Sequence, residues 1–211
     1  MHPVLNRRTP RLALFLALAF ALVPVRIAAQ SAYTAWQSSF TLTDTPFGKQ
    51  SALLDNSTHL EWLRLSDTRN KSQLELSRHM ANHTDYAGWR FATDDEVIAF
   101  FRHFTGSPDG ASADPAVEAE LQRLMGGPLG HSKVAIGAGT RAYTIGRIAG
   151  YTPTNYDQAP RHAGRVQYHY AEISEERTAT DTTFTVAPWK TGYNDGDVYS
   201  SDTGTFLVRE Y

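Results

Sequence analysis

The chain has 211 residues, with 20 basic and 22 acidic side chains and no cysteine. The lack of cysteine excludes a disulfide framework, thiolate metal sites and a cysteine nucleophile. Residues 1–30 hold four of the arginines and no acid, so residues 31–211 carry 16 bases against 22 acids, a net −6. An acidic domain without a basic stripe is a poor partner for nucleic acid or an anionic membrane surface, where binding rests on neutralising phosphates.

The chain opens with Arg7, Arg8 and Arg11, an apolar run from Leu12 to Val25, and the small-residue stretch Ala28-Ala29-Gln30-Ser31-Ala32. This three-part pattern predicts a cleaved secretory signal over residues 1–30. The apolar run is about 14 residues, short of the roughly 20 that span a bilayer, and Pro24 interrupts it. The expected product is an exported protein, periplasmic or secreted, with no membrane span after cleavage. Residues 31–211 suffice for a single globular α+β domain with its own core.

Ser51-Ala-Leu-Leu and Leu60-Glu-Trp-Leu-Arg-Leu flank Asp55-Asn-Ser-Thr-His59, which predicts a hairpin: Asp, Asn and Ser side chains bond the local backbone of tight turns. In the second run Leu60 and Trp62 point one way, Leu63 and Leu65 the other, as in a strand buried on both faces. Ser72-Gln-Leu-Glu75 is a capping-box pattern opening a helix to about Asn82. Thr93-Asp-Asp-Glu96 is another, and Val97, Phe101 and Phe104 give the helix after it an apolar face. Asp114 and Pro115 start a third helix that runs to Met125, with Val117, Leu121 and Leu124 on one side. From Ser132 onward the period becomes two. Strands are expected over 141–148, 165–173, 183–187 and 205–211, separated by long polar loops at 149–163 and 189–204. Val166, Tyr168 and Tyr170 alternate with Arg165, Gln167 and His169, which predicts an antiparallel strand with one wet side.

Leu53-Leu-Asp-Asn-Ser-Thr-His-Leu-Glu-Trp-Leu63, then Gly88-Trp-Arg-Phe-Ala-Thr-Asp-Asp-Glu96, then Gly204-Thr-Phe-Leu-Val-Arg209 make up a composite motif. It resembles a group of exported bacterial proteins, many with a PEP-CTERM sorting signal, that share an "LLD…LEWL…GWR.AT..E…FLVR" core. That group is in turn similar to the Lcl C-terminal domain. The resemblance implies a C-type-lectin-like fold, related to that of formylglycine-generating enzymes, with two or three helices on antiparallel sheet and long C-terminal loops. His59 replaces the usual turn glycine. The chain stops at Tyr211 with no sorting anchor, so the resemblance implies a released protein.

The motif residues Asp55, Glu61, Trp62, Gly88, Trp89, Arg90, Thr93 and Glu96 also have a purely structural reading. Trp62 and Trp89 plug the core, Thr93 and Glu96 cap a helix, and Arg90, beside a buried Trp, pairs with a carboxylate such as Glu61 or Asp55 because an unpaired buried charge is costly.

Three further groupings bear on chemistry. His79 and His83 share a helix face at zinc-ligand spacing, but Met80 stands where a zincin has Glu, and two imidazoles near a helix C-terminus suit the dipole. The oxygen-rich run Asn194, Asp195, Asp197 and Asp202 suits calcium. Tyr193-Asn194-Asp195 stands where calcium-dependent lectins carry Trp-Asn-Asp, although their Glu-Pro-Asn partner motif is absent, and an ordinary Asp/Asn/Gly turn competes with this reading. Tyr151, Asn155, Tyr156 and Asp157 combine rings with hydrogen-bonding neighbours, as a glycan or peptide site would. Catalytic signatures are missing: there is no phosphate loop, nucleophile elbow or distinctive carboxylate pair, and no cofactor is implied apart from calcium. The leading expectation is a non-enzymatic exported binding or matrix-associated module whose partner is an extracellular glycan or an envelope protein. The alternatives are a hydrolase with its site in the C-terminal loops and a purely structural envelope protein.

Overall fold

A computed structural model describes residues 38–82, 84–112, 114–133, 139–148, 161–162, 165–177, 182–194 and 201–211. The expected secretory signal lies outside this set. The described residues form a mixed α+β structure of four helices and two sheets that are antiparallel but for one strand pair.

The first sheet has β1 (Phe40–Thr45), β2 (Gly48–Asp55), β3 (Leu60–Leu63), β11 (Leu207–Glu210) and β4 (Arg90–Phe91) in that spatial order. The expected hairpin is β2–β3, with Asp55 opposite Leu60 and Leu53 opposite Trp62. Asp55 makes the turn: its carboxylate accepts the Ser57 N–H at 2.9 Å, while His59 takes the left-handed φ of 57° that a glycine would tolerate more easily. The last strand inserts between β3 and β4, so residues from both ends of the described chain share the centre of this sheet.

Both faces of the sheet are covered. On one face Trp62, Leu53 and Val208 pack against α3 (Asp94–Thr105), α4 (Pro115–Leu124) and the second sheet in one buried cluster. Phe100, Phe101 and Phe104 of α3 are buried, and Trp62 meets Phe100 with ring centroids 4.6 Å apart. Each such side chain contributes about 1.5–3 kcal/mol by leaving water. On the other face Ala52, Leu63 and Leu207 pack against Leu76 of α2 (Gln73–Ala81), Tyr86 and Trp89. Leu65 departs from the expected alternation. It does not continue β3 but opens a one-turn helix, α1 (Leu65–Thr68), and joins the Trp62 cluster instead of the Leu63 side.

The helix starts follow their caps. Ser72 accepts the Glu75 N–H, and Thr93 and Glu96 form a complete reciprocal box. Asp114 caps α4 with Pro115 in its first turn. Gly106, at φ 70°, closes α3.

The second sheet contains β5 (Gly130–Lys133), β6 (Thr140–Ile148), β7 (Arg161–His162), β8 (Arg165–Arg177), β9 (Thr182–Asn194) and β10 (Thr203–Thr205). One expectation is corrected in β9. In β8, past the alternating run 165–170, Ala171 to Ser174 are all buried between β6 and β9. The expected polar loop from 189 begins as strand, because β9 runs on to Asn194. Pro188 signals a break in the sequence, but the ladder passes it with a bulge: Tyr170 faces Lys190 and Glu172 faces Ala187, which leaves one extra residue on β9.

The expected strand 205–211 is also divided. Residues 203–205 pair in parallel with β6 of the second sheet, and residues 207–210 pair with β3 and β4 of the first. Phe206 is the crossing point. Its buried ring lies edge-on to Trp62 and Phe101 and fills the space over Gly146, where an added Cβ would clash with the ring. The hydroxyl of Thr68 anchors this crossing. It accepts the Thr205 N–H at 2.8 Å and donates to the Thr205 carbonyl at 2.9 Å.

Candidate functional site

The motif residues form a structural brace. Glu61 is fully buried on β3, accepts hydrogen bonds from Thr43 and from the Arg209 guanidinium, and lies directly across the ladder from Arg209. Arg209 in turn stacks over the Trp89 ring, 4.6 Å from its centroid. Trp62 and Trp89 are buried as expected. Gly88 has φ 80°, so a left-handed backbone, not a ligand, explains the glycine there.

Arg90 is corrected. It is not buried beside Glu61 or Asp55. Its side chain is 45% exposed and forms a two-pronged ion pair with Glu96, at 2.9 and 2.6 Å, across the start of α3. The physical reason is position: β4 is a two-residue edge strand, and Glu61 already has the closer cross-strand arginine.

Asp55 instead meets α3. Its second carboxylate oxygen is 2.8 Å from Nδ1 of His103, and Ser57 Oγ is 2.9 Å from the same nitrogen. These are the residue types of a nucleophilic triad without its arrangement. A relay needs the serine on one ring nitrogen and the carboxylate on the other, whereas here both address Nδ1. Burial acts to raise the Asp55 pKa, but hydrogen bonds from Ser57 and His103 outweigh it and hold the carboxyl below its usual value.

Of the candidate ligand residues, Tyr151, Asn155, Tyr156 and Asp157 lie outside the described residues, as do Asp195 and Asp197. Asn194 ends β9 opposite Val166. Asp202 accepts the Tyr143 hydroxyl at 2.6 Å, which raises the Tyr143 pKa. His83 lies outside the described residues, and His79 pairs with Glu75 at 3.4 Å. Among the described residues no group of three or more acidic or histidine side chains is placed to hold a metal ion. No helix among them is long and apolar enough to cross a membrane.

A groove of about 470 Å³ opens on the α2 side of the first sheet, lined by Phe47, Asp67, Lys71, His79, Thr84, Asp85 and Tyr86. Four local structures converge there: the β1–β2 turn gives Phe47, α1 gives Asp67, α2 gives His79, and the turn before Gly88 gives Thr84 to Tyr86. Phe47 packs on Tyr86 with centroids 4.6 Å apart, and the Tyr86 hydroxyl donates to the Asp67 carbonyl at 2.7 Å. The Asp67 side chain has one buried oxygen, Oδ2, without a hydrogen-bond partner, and burial raises its pKa against the pull of Arg64. The Thr84 hydroxyl is occupied by the His79 carbonyl at 2.9 Å. Apart from His79, none of these lining residues stands out in the sequence. The available signal was Tyr86, an aromatic in the polar turn just ahead of the Gly88-Trp89 pair.

No protein-family model matches the chain, and no curated protein and no solved structure matches it.

Proposed function

We propose that the protein is an exported, non-enzymatic binding module with a C-type-lectin-like arrangement, and that the α2-side groove receives a sugar unit of an extracellular glycan. The observation that carries this reading is the lining itself: the part-exposed Phe47 ring, backed by the buried Tyr86, beside Asp67, Lys71, His79, Thr84 and Asp85. Rings take the apolar face of a sugar, while carboxylates and amines take its hydroxyls. A volume of about 470 Å³ lies within the range of small-ligand sites, roughly 300–1,000 Å³. The fold reading draws on the last strand returning to pair with the N-terminal hairpin, with helices packed on both faces of that sheet.

Both hydroxyls of the groove are already engaged, Thr84 donating to the His79 carbonyl and Tyr86 to the Asp67 carbonyl, so neither is free as a nucleophile. The test is a titration of isotope-labelled protein with glucose, N-acetylglucosamine and chitobiose, followed by amide chemical shifts. Saturable changes confined to residues around Phe47, Asp67, His79 and Tyr86, and abolished in Phe47→Ala, are expected. Saturable changes elsewhere, or none with any of the sugars, would overturn the reading.

A further inference from the structure

The structure assigns Thr45 as the positioning residue of the groove: its hydroxyl fixes the turn that presents the Phe47 ring. The assignment rests on the sugar-binding reading above and adds what keeps that site preformed.

The loop that carries Phe47 is short. Thr45 pairs with Gly48 across the ladder, so only Pro46 and Phe47 lie between them. Proline fixes φ at the first of these positions, which leaves the second to set where the ring goes. Hydroxyls then hold that second residue. The Thr45 hydroxyl accepts the Phe47 N–H at 3.1 Å, a side-chain substitute for a backbone turn bond. The buried Ser51 hydroxyl donates to the Gly48 carbonyl at 2.8 Å, which commits its one hydrogen. In the 2.6 Å contact between the two hydroxyls Thr45 is therefore the donor. Thr45 thus holds Phe47 directly and Gly48 through Ser51, so both ends of the Phe47 backbone are tied. The ladder is bulged here, with Asp44 alone between Thr43 and Thr45 and the longer run 49–51 between their partners. Asp44 secures that run by accepting the Gln50 N–H at 2.8 Å. At its rim the Phe47 ring meets Tyr86, whose hydroxyl is tied to the Asp67 carbonyl. A part-exposed ring held in this way need not be ordered when a ligand arrives. A ring left to be ordered on binding would weaken affinity about three- to tenfold.

The experiment titrates the parent protein, Thr45→Val and Thr45→Ser with glucose, N-acetylglucosamine and chitobiose by calorimetry, and measures the unfolding midpoint of each. Valine keeps the size of threonine and removes both bonds, whereas serine keeps both. Thr45→Val is expected to lower affinity about three- to tenfold for whichever of these sugars the parent binds, and Thr45→Ser to retain it. Nuclear Overhauser contacts between the Phe47 and Tyr86 rings should weaken in the valine variant and persist in the serine one. A merely structural role would lower the midpoint and leave the affinity of the folded protein unchanged, a result that overturns the assignment and leaves the sugar site standing. An equal loss in Thr45→Ser would trace the effect to the methyl group and overturn it as well. Ser51→Ala breaks the same hydroxyl chain one step further on; should Thr45→Val fail to fold, unchanged affinity in Ser51→Ala is the overturning result, and a loss of at least about twofold the expected one. No binding of any of the three sugars by the parent would overturn the sugar reading and this assignment together.

Discussion

Glu61 and Arg209, 148 residues apart in the chain, face each other directly across β3 and β11, with the Glu61 carboxylate fully buried and the guanidinium reaching on to the Trp89 ring. The pair joins the N-terminal hairpin to the returning strand, and Thr43 brings in β1 through the same carboxylate. Removing one partner strands a buried charge, which costs more than the intact pair contributes. Arg209→Ala is expected to lower stability by about 3 kcal/mol, towards the lower end for buried pairs because Arg209 is partly exposed. Urea unfolding checks this as a shift in midpoint at unchanged slope. Glu61→Gln with Arg209→Met should recover much of the loss, since replacing both charges removes the desolvation cost.

Thr68 makes a different prediction. Its buried hydroxyl serves both the N–H and the carbonyl of Thr205 next to the Phe206 crossing. Thr68→Val keeps the volume and leaves two buried backbone groups without that partner. The expected loss is about 1–3 kcal/mol. Hydrogen exchange at the Thr205 amide should accelerate more than at the amides of α4, a local signature that a general loss of packing would not give.

Arg90 is expected to matter little. The Arg90–Glu96 pair is well aligned but stands at the surface, with both side chains partly exposed, and surface pairs contribute about 0.2–1 kcal/mol. Glu96 also closes the capping box through the Thr93 N–H at 2.9 Å, a role that does not depend on the arginine. Arg90→Ala should therefore shift the melting temperature by a few degrees at most, and the shift should shrink with added salt. Thr93→Ala, which removes the cap itself, should cost about 1 kcal/mol and keep most of that cost at high salt.

The contrast between Arg90 and Arg209 shows what could be read from the chain. Local signals carried through: the Asp55 turn, the caps at Ser72, Thr93 and Asp114, and the apolar face of α3 all act within a few residues, so spacing alone reveals them. Pairings between distant segments did not. Nothing near Glu61 in sequence indicates that its partner is Arg209 rather than Arg90, because the strand order that decides it is set by the last residues of the chain. The β9 extension was hidden for a similar reason. Pro188 and Gly192 read locally as loop residues, yet a partner strand as long as β8 holds them in the ladder. The groove was the least legible feature, since Phe47, Asp67 and Tyr86 belong to separate short segments that only folding brings together.

Asp55 gives the pH dependence. Its folded pKa is held below the usual carboxylate value, so folding favours the charged form. A depressed carboxylate pKa contributes stability that is present above the unfolded value, about 4, and is lost as the pH falls through the lower folded value. Asp55→Asn keeps the turn geometry through its own oxygen but places an amide nitrogen or a weaker acceptor opposite His103. At neutral pH the variant should be less stable than the parent by about 1–3 kcal/mol, the cost of losing charge-assisted hydrogen bonds at a buried site. The melting-temperature gap between the two should stay constant down to about pH 5 and close progressively below pH 4 as the parent's carboxylate protonates. A gap that persists unchanged at pH 2 would mean that Asp55 stabilises the hairpin tip through shape alone, and that its link to His103 adds no electrostatic stability.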